Sequence, residues 1–186
     1  VRSRQLFADK GLMAVVVDAP SDRLRAPFLN GFRQTEEHAA DLKATIAWAR
    51  ATAKVPVWLV GTSRGTQSAA YAATVLQGAD APDGVVLTAT ILADDKQRPV
   101  PAMPLEQIKV PVLVVHHQQD GCSHCAYSEI PNLMAKLTHT PRSHLITATG
   151  GKNQGDACAA FAYHGFNGLE ADVVGQMADW ILAPAR

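Results

Sequence analysis

The chain has 186 residues, the size of a single domain. Seventeen Lys and Arg residues balance seventeen Asp and Glu residues, so the sequence predicts neither a nucleic-acid-binding nor an anionic-membrane-binding surface. The hydrophobic share of 47% is that of a globular protein and excludes a disordered chain. The longest apolar run, residues 12–17, is strand-sized, far short of the roughly 20 residues that a membrane-spanning helix needs.

Apolar, strand-like runs alternate with helical patterns along the whole chain. The predicted strands are residues 12–17, 57–60, 85–91, 110–115 and 144–148, and the predicted helices are residues 4–10, 36–52, 64–76, 126–137 and 170–182. The strand runs are continuous and β-branched, as in a sheet covered by helices on both faces. This pattern predicts an α/β fold with a doubly wound, mostly parallel sheet, formed by residues 1–186 as one domain. Residues 92–109 include a Pro-rich stretch and are the candidate for a short cap.

The most specific motif is Gly61-Thr62-Ser63-Arg64-Gly65, which follows a predicted strand and precedes an Ala-rich helix. This is G-x-S-x-G in the context of a nucleophile elbow, where we expect a side chain at either glycine to collide with the crossing backbone. Ser63 is the candidate nucleophile, and the backbone N–H of Arg64 is a candidate oxyanion donor. The plainer interpretation is a glycine turn in which Ser63 caps the helix. The Arg64 side chain is predicted to make a surface or lid contact.

A nucleophilic serine needs a base, and the base needs an orienting acid. Among the seven histidines, only His164 lies between the last predicted strand and the last helix, where it would reach the serine. Asp120 is favoured as the acid because it follows the fourth predicted strand and precedes Gly121, which permits a sharp turn. Asp94 and Asp95, after the third strand, are the alternative, although they resemble the start of a solvated loop.

The other histidines have plainer interpretations. His38 is predicted to be a solvated residue on a helix surface. His139 and His144 flank the last predicted strand and are expected to be structural. His116 and His117 end a strand close to the site, and one of them is expected to support it.

Two of the three cysteines, Cys122 and Cys125, form a C-x-x-C pair directly after the candidate acid. A thioredoxin-like redox pair would need a different order of elements along the chain. A zinc site that also recruits His124 and His116 is a second interpretation, but knuckle-type spacing of the ligands is not convincingly present.

A disulfide is the third interpretation of the cysteines. If Asp120 and His164 are hydrogen-bonded, their loops are neighbours, and this brings Cys122 and Cys158 within bridging distance. Such a bond would hold the acid loop against the histidine loop and leave Cys125 as a free, buried thiol. It would also imply an oxidising compartment and therefore an exported protein.

Four segments of the chain carry a resemblance to a known family. They are residues 15–22 (VVVDAPSD), the elbow 61–65, residues 117–122 (HQQDGC), and Cys158 with residues 164–166 (HGF). The chain resembles an α/β-hydrolase and is similar to bacterial exported hydrolases of the dienelactone-hydrolase-like kind. The resemblance implies Ser63 as nucleophile, His164 as base and Asp120 as acid. It also implies esterase or lactonase chemistry on small molecules, no metal or organic cofactor, and a periplasmic or secreted location.

The chain departs from that family at its N-terminus. In the family, three strands precede the helix with which this chain opens, and the third lies between the counterparts of residues 12–17 and 57–60. The loop after that strand carries the second oxyanion donor. We therefore expect roughly 60–80 residues of a complete hydrolase domain to be missing upstream, and an N-terminal segment or second chain to complete the sheet. A weakly active or non-catalytic binding protein is the alternative function.

Overall fold

A parallel sheet of four strands organises residues 2–183, the part of the chain that the computed structural model describes. The strands are β1 (Trp58–Thr62), β2 (Gly84–Thr88), β3 (Val112–His117) and β4 (Ser143–Ala148). They lie side by side in chain order, and each neighbouring pair is parallel. The carboxyl ends of all four strands therefore meet at one edge of the sheet, where ligand sites of such folds lie.

Helices cover both faces of this sheet, as predicted. They are α1 (Arg4–Asp9), α2 (Glu36–Ala53), α3 (Arg64–Val75), α4 (Ile130–Ala135) and α5 (Glu170–Leu182). Helices α3 and α4 pack on one face with α2 behind α3, and α1 and α5 pack on the other face. None of the helices in residues 2–183 is long and apolar enough to cross a membrane. The predicted α/β architecture with a doubly wound parallel sheet is confirmed.

The two central strands form the core. Their side chains alternate between the faces: Val85 and Leu87 of β2 pack under α3, while Val86 packs towards α5. Every residue of β2 and β3 is buried. This explains why the runs are continuously apolar, since a strand between two helical layers has no solvent-facing side.

Helix α2 begins where its sequence predicts. The Oγ1 of Thr35 accepts a hydrogen bond from the N–H of His38 at 3.2 Å, which satisfies one free donor of the first turn. Glu36 and Glu37 add negative charge near the positive end of the helix dipole.

The predicted solvated position of His38 is wrong. The residue is buried with 5% of its surface exposed, and its ring centroid lies 5.3 Å from that of Phe32. Residues 27–34 fold over the start of α2 in a series of turns, and they cover the imidazole.

The predicted strand at residues 12–17 is also wrong. Residues 12–20 have no regular structure, and Met13, Val15, Val16 and Val17 are each between 40% and 51% exposed. A strand exists only when its backbone groups find a partner, and no strand in residues 2–183 lies on the free side of β1. The apolar run is therefore left as an exposed segment without a strand partner.

Residues 92–109 leave β2 and return to β3 through the 3₁₀ turns Val100–Ala102 and Leu105–Gln107. Val100 and Leu105 are fully buried against α3 and the sheet. The segment is thus anchored in the core, and its action as a cap stays a prediction.

Candidate active site

Ser63 occupies the sharp turn between β1 and α3. Its backbone has φ 50° and ψ −123°, a conformation that residues other than glycine rarely adopt. Its N–H donates to the carbonyl of Thr88 at 3.0 Å, and its own carbonyl accepts the Thr66 hydroxyl at 2.6 Å. These bonds hold a half-exposed serine at the carboxyl edge of the sheet. The Arg64 N–H lies at the first position of α3, where a helix leaves its N–H groups without intrahelical partners.

The two glycines of the elbow have different roles. A Cβ added to Gly61 would lie 2.5 Å from the carbonyl oxygen of Gly65, so any side chain there displaces the backbone. A Cβ added to Gly65 would meet nothing within 4 Å. The predicted collision is therefore present at Gly61 and wrong for Gly65, because only Gly61 faces the crossing chain.

Asp120 and His164 lie in contact, as predicted, although they are 44 residues apart in the sequence. Asp120 Oδ2 accepts a hydrogen bond from His164 Nδ1 at 2.9 Å, and both side chains are buried. The other carboxylate oxygen, Oδ1, accepts the N–H of Cys122 at 2.9 Å. Since the carboxylate is an acceptor, the proton on the ring is assigned to Nδ1.

The second ring nitrogen of His164 is therefore the basic one. Nε2 is buried, and no described residue, Ser63 included, forms a hydrogen bond with it. A buried acceptor without a partner costs free energy, and such atoms are typical of sites where a reacting group binds. His164, Asp120 and Ser63 all follow strand ends at the same edge of the sheet, which is the arrangement that the sequence predicts.

His116 lies next to the candidate acid, Asp120. Its Nε2 donates to the carbonyl of Cys125 at 2.7 Å, its Nδ1 accepts the N–H of Thr90, and Nε2 lies 3.6 Å from Asp120 Oδ2. Burial lowers the pKa of His116, and this outweighs the opposing effects of the Cys125 carbonyl and Asp120. A neutral imidazole is thus fixed between the strand ends. The sequence indicated that His116 or His117 would adjoin the site, and His116 is the one in contact with the acid.

A disulfide joins the two loops that carry Asp120 and His164. Cys122 and Cys158 are bonded, with Cα atoms 4.6 Å apart. Gly165 also shapes the histidine loop, because a Cβ there would lie 2.1 Å from the carbonyl oxygen of Ala160. The loops are thereby held together by one covalent bond and one buried hydrogen bond, between Asp120 and His164.

Cys125 is a free and buried thiol, as expected. Burial, and secondarily Asp120, raise the pKa of Cys125 to about 12, so the thiol remains protonated. Ligand atoms of Cys122, Cys125 and His164 lie within 4.8 Å of one another, but Cys122 is oxidised and offers no thiolate. His124, the other residue of the zinc interpretation, instead has its Nδ1 3.1 Å from the carbonyl of Ala93. This donor set does not fit zinc while the disulfide is intact.

The Arg64 side chain forms an ion pair with Asp94. The Asp94 carboxylate is buried, so the prediction that it begins a solvated loop is wrong. Burial raises the pKa of Asp94, but hydrogen bonds from the Lys96 backbone and from Arg64 outweigh it, and the net direction is downward. Gln67, also buried, donates to the carbonyl of Arg98 at 3.0 Å. No motif in the sequence singled out Gln67, although its position three residues after Arg64 places both on one side of α3.

Comparisons with known proteins support the fold. No protein-family model and no curated protein matches the chain. The chain is similar to a solved cold-adapted esterase from an Arctic intertidal metagenomic library, with TM-score 0.63 and 16% identity over 96% of this chain and 74% of that one. It is also similar to a sugar hydrolase (YeeB) from Lactococcus lactis, with TM-score 0.64 and 14% identity over 96% of this chain and 79% of that one. The protein therefore has a fold of the α/β-hydrolase type.

Proposed function

We propose that the protein is a serine hydrolase that cleaves carboxylic esters or lactones of small molecules. The observation that carries this proposal is the buried hydrogen bond between Asp120 and His164, which leaves His164 Nε2 as an unpartnered base. Ser63, on a strained turn at the same sheet edge, is the nucleophile that such a base serves.

The reaction follows from the roles of these atoms. Ser63 Oγ attacks the ester carbonyl while His164 Nε2 takes its proton, and Asp120 stabilises the imidazolium. The Arg64 N–H donates to the oxyanion. When the tetrahedral intermediate collapses, the alcohol leaves with the proton from His164, and water then hydrolyses the acyl-enzyme by the same route.

We further propose that an added strand completes the sheet on the free side of β1. Val60 of β1 is 44% exposed, and the apolar residues 12–17 have no regular structure and no strand partner. Unpaired strand edges and exposed apolar chain are costly in water, so both favour an additional segment or a second chain there. The loop after such a strand would supply the second oxyanion donor.

The same open edge favours the alternative function. A protein that has the acid and base but lacks a complete oxyanion site would be a weak catalyst or a binding protein, because losing one donor costs about 10²–10³-fold in rate. Labelling of Ser63 separates the two functions, because labelling requires an activated serine.

The experiment is labelling with a fluorophosphonate probe, followed by assays with nitrophenyl esters, lactones and amides. We expect covalent labelling that disappears in Ser63→Ala and His164→Gln. The control is Ser123→Ala, which removes an exposed serine of the acid loop and should label like the wild type. Failure of the wild type to react, under conditions where a known serine hydrolase does, would support the binding protein instead.

A periplasmic or secreted location is part of the same proposal. The Cys122–Cys158 bond supports it, since structural disulfides persist in oxidising compartments. Fractionation of the native host with an antibody against this chain tests it, and a purely cytosolic signal would contradict it.

A further inference from the structure

A cavity of about 360 Å³ lies beside the elbow, separate from the acid and the base. Its apolar wall is made by residues 27–29 (PFL), and Phe28 is 56% exposed. Its cationic wall consists of Arg33, Arg64 and Lys96. A cavity with an apolar side and a concentrated positive side is the pattern of a site for an amphiphilic anion.

Arg33 is the unusual residue of this cavity. It is half-buried, its side chain donates one hydrogen bond, to Ser68 Oγ at 3.2 Å, and no carboxylate in residues 2–183 lies within 4.0 Å of it. Burial, and then the neighbouring Arg64, lower the pKa of Arg33. The Arg33 guanidinium has five N–H donors, is partly desolvated and faces a second cation. It therefore lacks the anion that would accept its hydrogen bonds and balance its charge.

The charge of the cavity remains positive after its ion pair is counted. Asp94 neutralises Arg64, which leaves Arg33 and Lys96 without a counter-ion among the described residues. Asn30 and Gln97, also in the lining, hydrogen-bond to each other and carry no charge. The cavity therefore attracts anions although the whole chain is neutral.

The cavity is close to the nucleophile. Arg64 directly follows Ser63, so their Cα atoms are about 3.8 Å apart. Lys96 and Gln97 lie in the segment after β2, at the carboxyl edge of the sheet where Ser63 also stands. Ser63 itself does not line the cavity, but Arg64, its neighbour in the chain, does.

We propose that this cavity binds the carboxylate of an anionic ester, with Arg33 as the specificity-determining residue. The substrate class is monoesters of dicarboxylic acids, whose hydrocarbon chain packs on residues 27–29. This inference rests on the proposed esterase function for its kinetic consequences, but the binding of the carboxylate does not require hydrolysis.

The test compares two esters with the same hydrocarbon chain, one ending in a carboxylate and the other in a methyl group: mono(4-nitrophenyl) adipate and 4-nitrophenyl hexanoate. Charged hydrogen bonds are strong, so we expect Arg33→Gln to lower kcat/KM for the adipate monoester about 10–100-fold, mainly through KM. The hexanoate ester should change less than about twofold, and Arg33→Lys should recover part of the loss. Added salt should weaken turnover of the adipate monoester alone. The control variant is Arg25→Gln, an exposed arginine of the same segment that does not line the cavity.

The outcomes separate this inference from the proposed function. Equal loss for both esters in Arg33→Gln, or no loss for either, overturns the anion site while leaving the esterase intact. If neither ester is hydrolysed, the esterase fails. Calorimetric measurement of monomethyl adipate binding to the Ser63→Ala protein then tests the anion site independently of hydrolysis. Binding that disappears in the Ser63→Ala, Arg33→Gln double variant supports it, and absence of binding to Ser63→Ala contradicts it.

Discussion

The β4 end and the β1 end of the sheet differ in how completely the described residues hold them in place. The acid–base side comprises β3, β4 and the loops at residues 118–125 and 149–166, and it is cross-linked by a disulfide and a buried hydrogen bond. On this side His117 also stacks on Tyr163 with ring centroids 4.4 Å apart. The nucleophile side comprises β1 and residues 12–35. Its outer strand edge is open, and its apolar segment 12–17 is exposed.

The described chain itself preorganises the acid–base side of the site, but not the nucleophile side. The acid and the base are each held by partners within residues 2–183, so their geometry needs nothing further. The serine is held by a strained turn next to an open edge, so its environment depends on what covers β1. Substitutions on the acid–base side should therefore lower both the catalytic rate and the free energy of unfolding. On the nucleophile side, the effect of a substitution should depend mainly on whether it adds strain to the turn at Ser63.

The largest effect expected is that of Asp120→Asn on activity. The Asn carbonyl can still accept the Cys122 N–H, but its NH₂ group would face His164 Nδ1 and impose the wrong tautomer, which costs about 10⁴-fold in kcat. The matched control is Asp94→Asn, which removes the alternative acid and should cost less than about tenfold with a neutral ester, because Asp94 contacts Arg64 and not His164. Steady-state kinetics check both. If Asp94→Asn were the more damaging change, the acid would be misassigned.

Removal of the disulfide should give the largest stability effect on the acid–base side. Cys122 and Cys158 are 36 residues apart, and the entropy of closing such a loop is worth about 3–4 kcal/mol in the unfolded chain. We expect the double Cys→Ser variant to lose that much in urea unfolding. Cys125→Ala deletes only a buried thiol and should cost about 1 kcal/mol. Titration of the unfolded, unreduced protein should find one free thiol, and finding three would mean that the bond does not form in the protein.

On the nucleophile side, the two elbow glycines provide a sharper contrast. Gly61→Ala places a Cβ 2.5 Å from the Gly65 carbonyl oxygen and should destabilise the protein by about 1–3 kcal/mol while displacing Ser63. Gly65→Ala places its Cβ in open space in the first turn of α3, where alanine is favoured over glycine by up to about 1 kcal/mol. Unfolding free energies of the two variants check this. Equal losses would contradict the asymmetry.

The sequence predicted those elements whose patterns are local. Helix α5 has the predicted bounds, and the Thr35 cap fixes the start of α2, because periodicity and capping depend on a few neighbouring residues. Helix α4 is shorter than predicted. It begins at Ile130 because Pro131 is tolerated only in the first turn of a helix.

What the sequence could not predict depends on partners distant in the chain. Residues 12–17 have strand composition, but strands form only beside another edge. His38 is buried against Phe32 and the Asp94 carboxylate against Arg64, and neither contact between distant residues can be read from composition. The contact between Asp120 and His164 was predictable because chain order and strand ends bring their two loops together. The cavity at Arg33 was not, since it is formed by turns in residues 27–33.

The smallest effect expected is a pH dependence of stability that originates on the nucleophile side. Burial, and then the Arg33 guanidinium, lower the pKa of His38, while Asp41 opposes them more weakly. Neither ring nitrogen of His38 has a hydrogen-bond partner among the described residues, so no hydrogen bond stabilises the imidazolium in the folded protein. The unfolded chain therefore takes up a proton at higher pH than the folded one, and stability falls as pH decreases below about 6.5.

Replacement of His38 by Gln should reduce this loss of stability at low pH. Part of the loss should remain, because burial also lowers the pKa of His116. The measurement is urea unfolding of both proteins between pH 5 and pH 8, with the region above pH 7.5 as the internal control. Above pH 7.5 the imidazoles of His38 and His116 are neutral in both the folded and the unfolded protein. The free energies of unfolding of the wild type and the variant should therefore change with pH in parallel. Stability of the wild type that rose as pH fell below 6.5 would contradict the burial of His38. An unchanged slope in His38→Gln would assign the whole effect to the acid–base side.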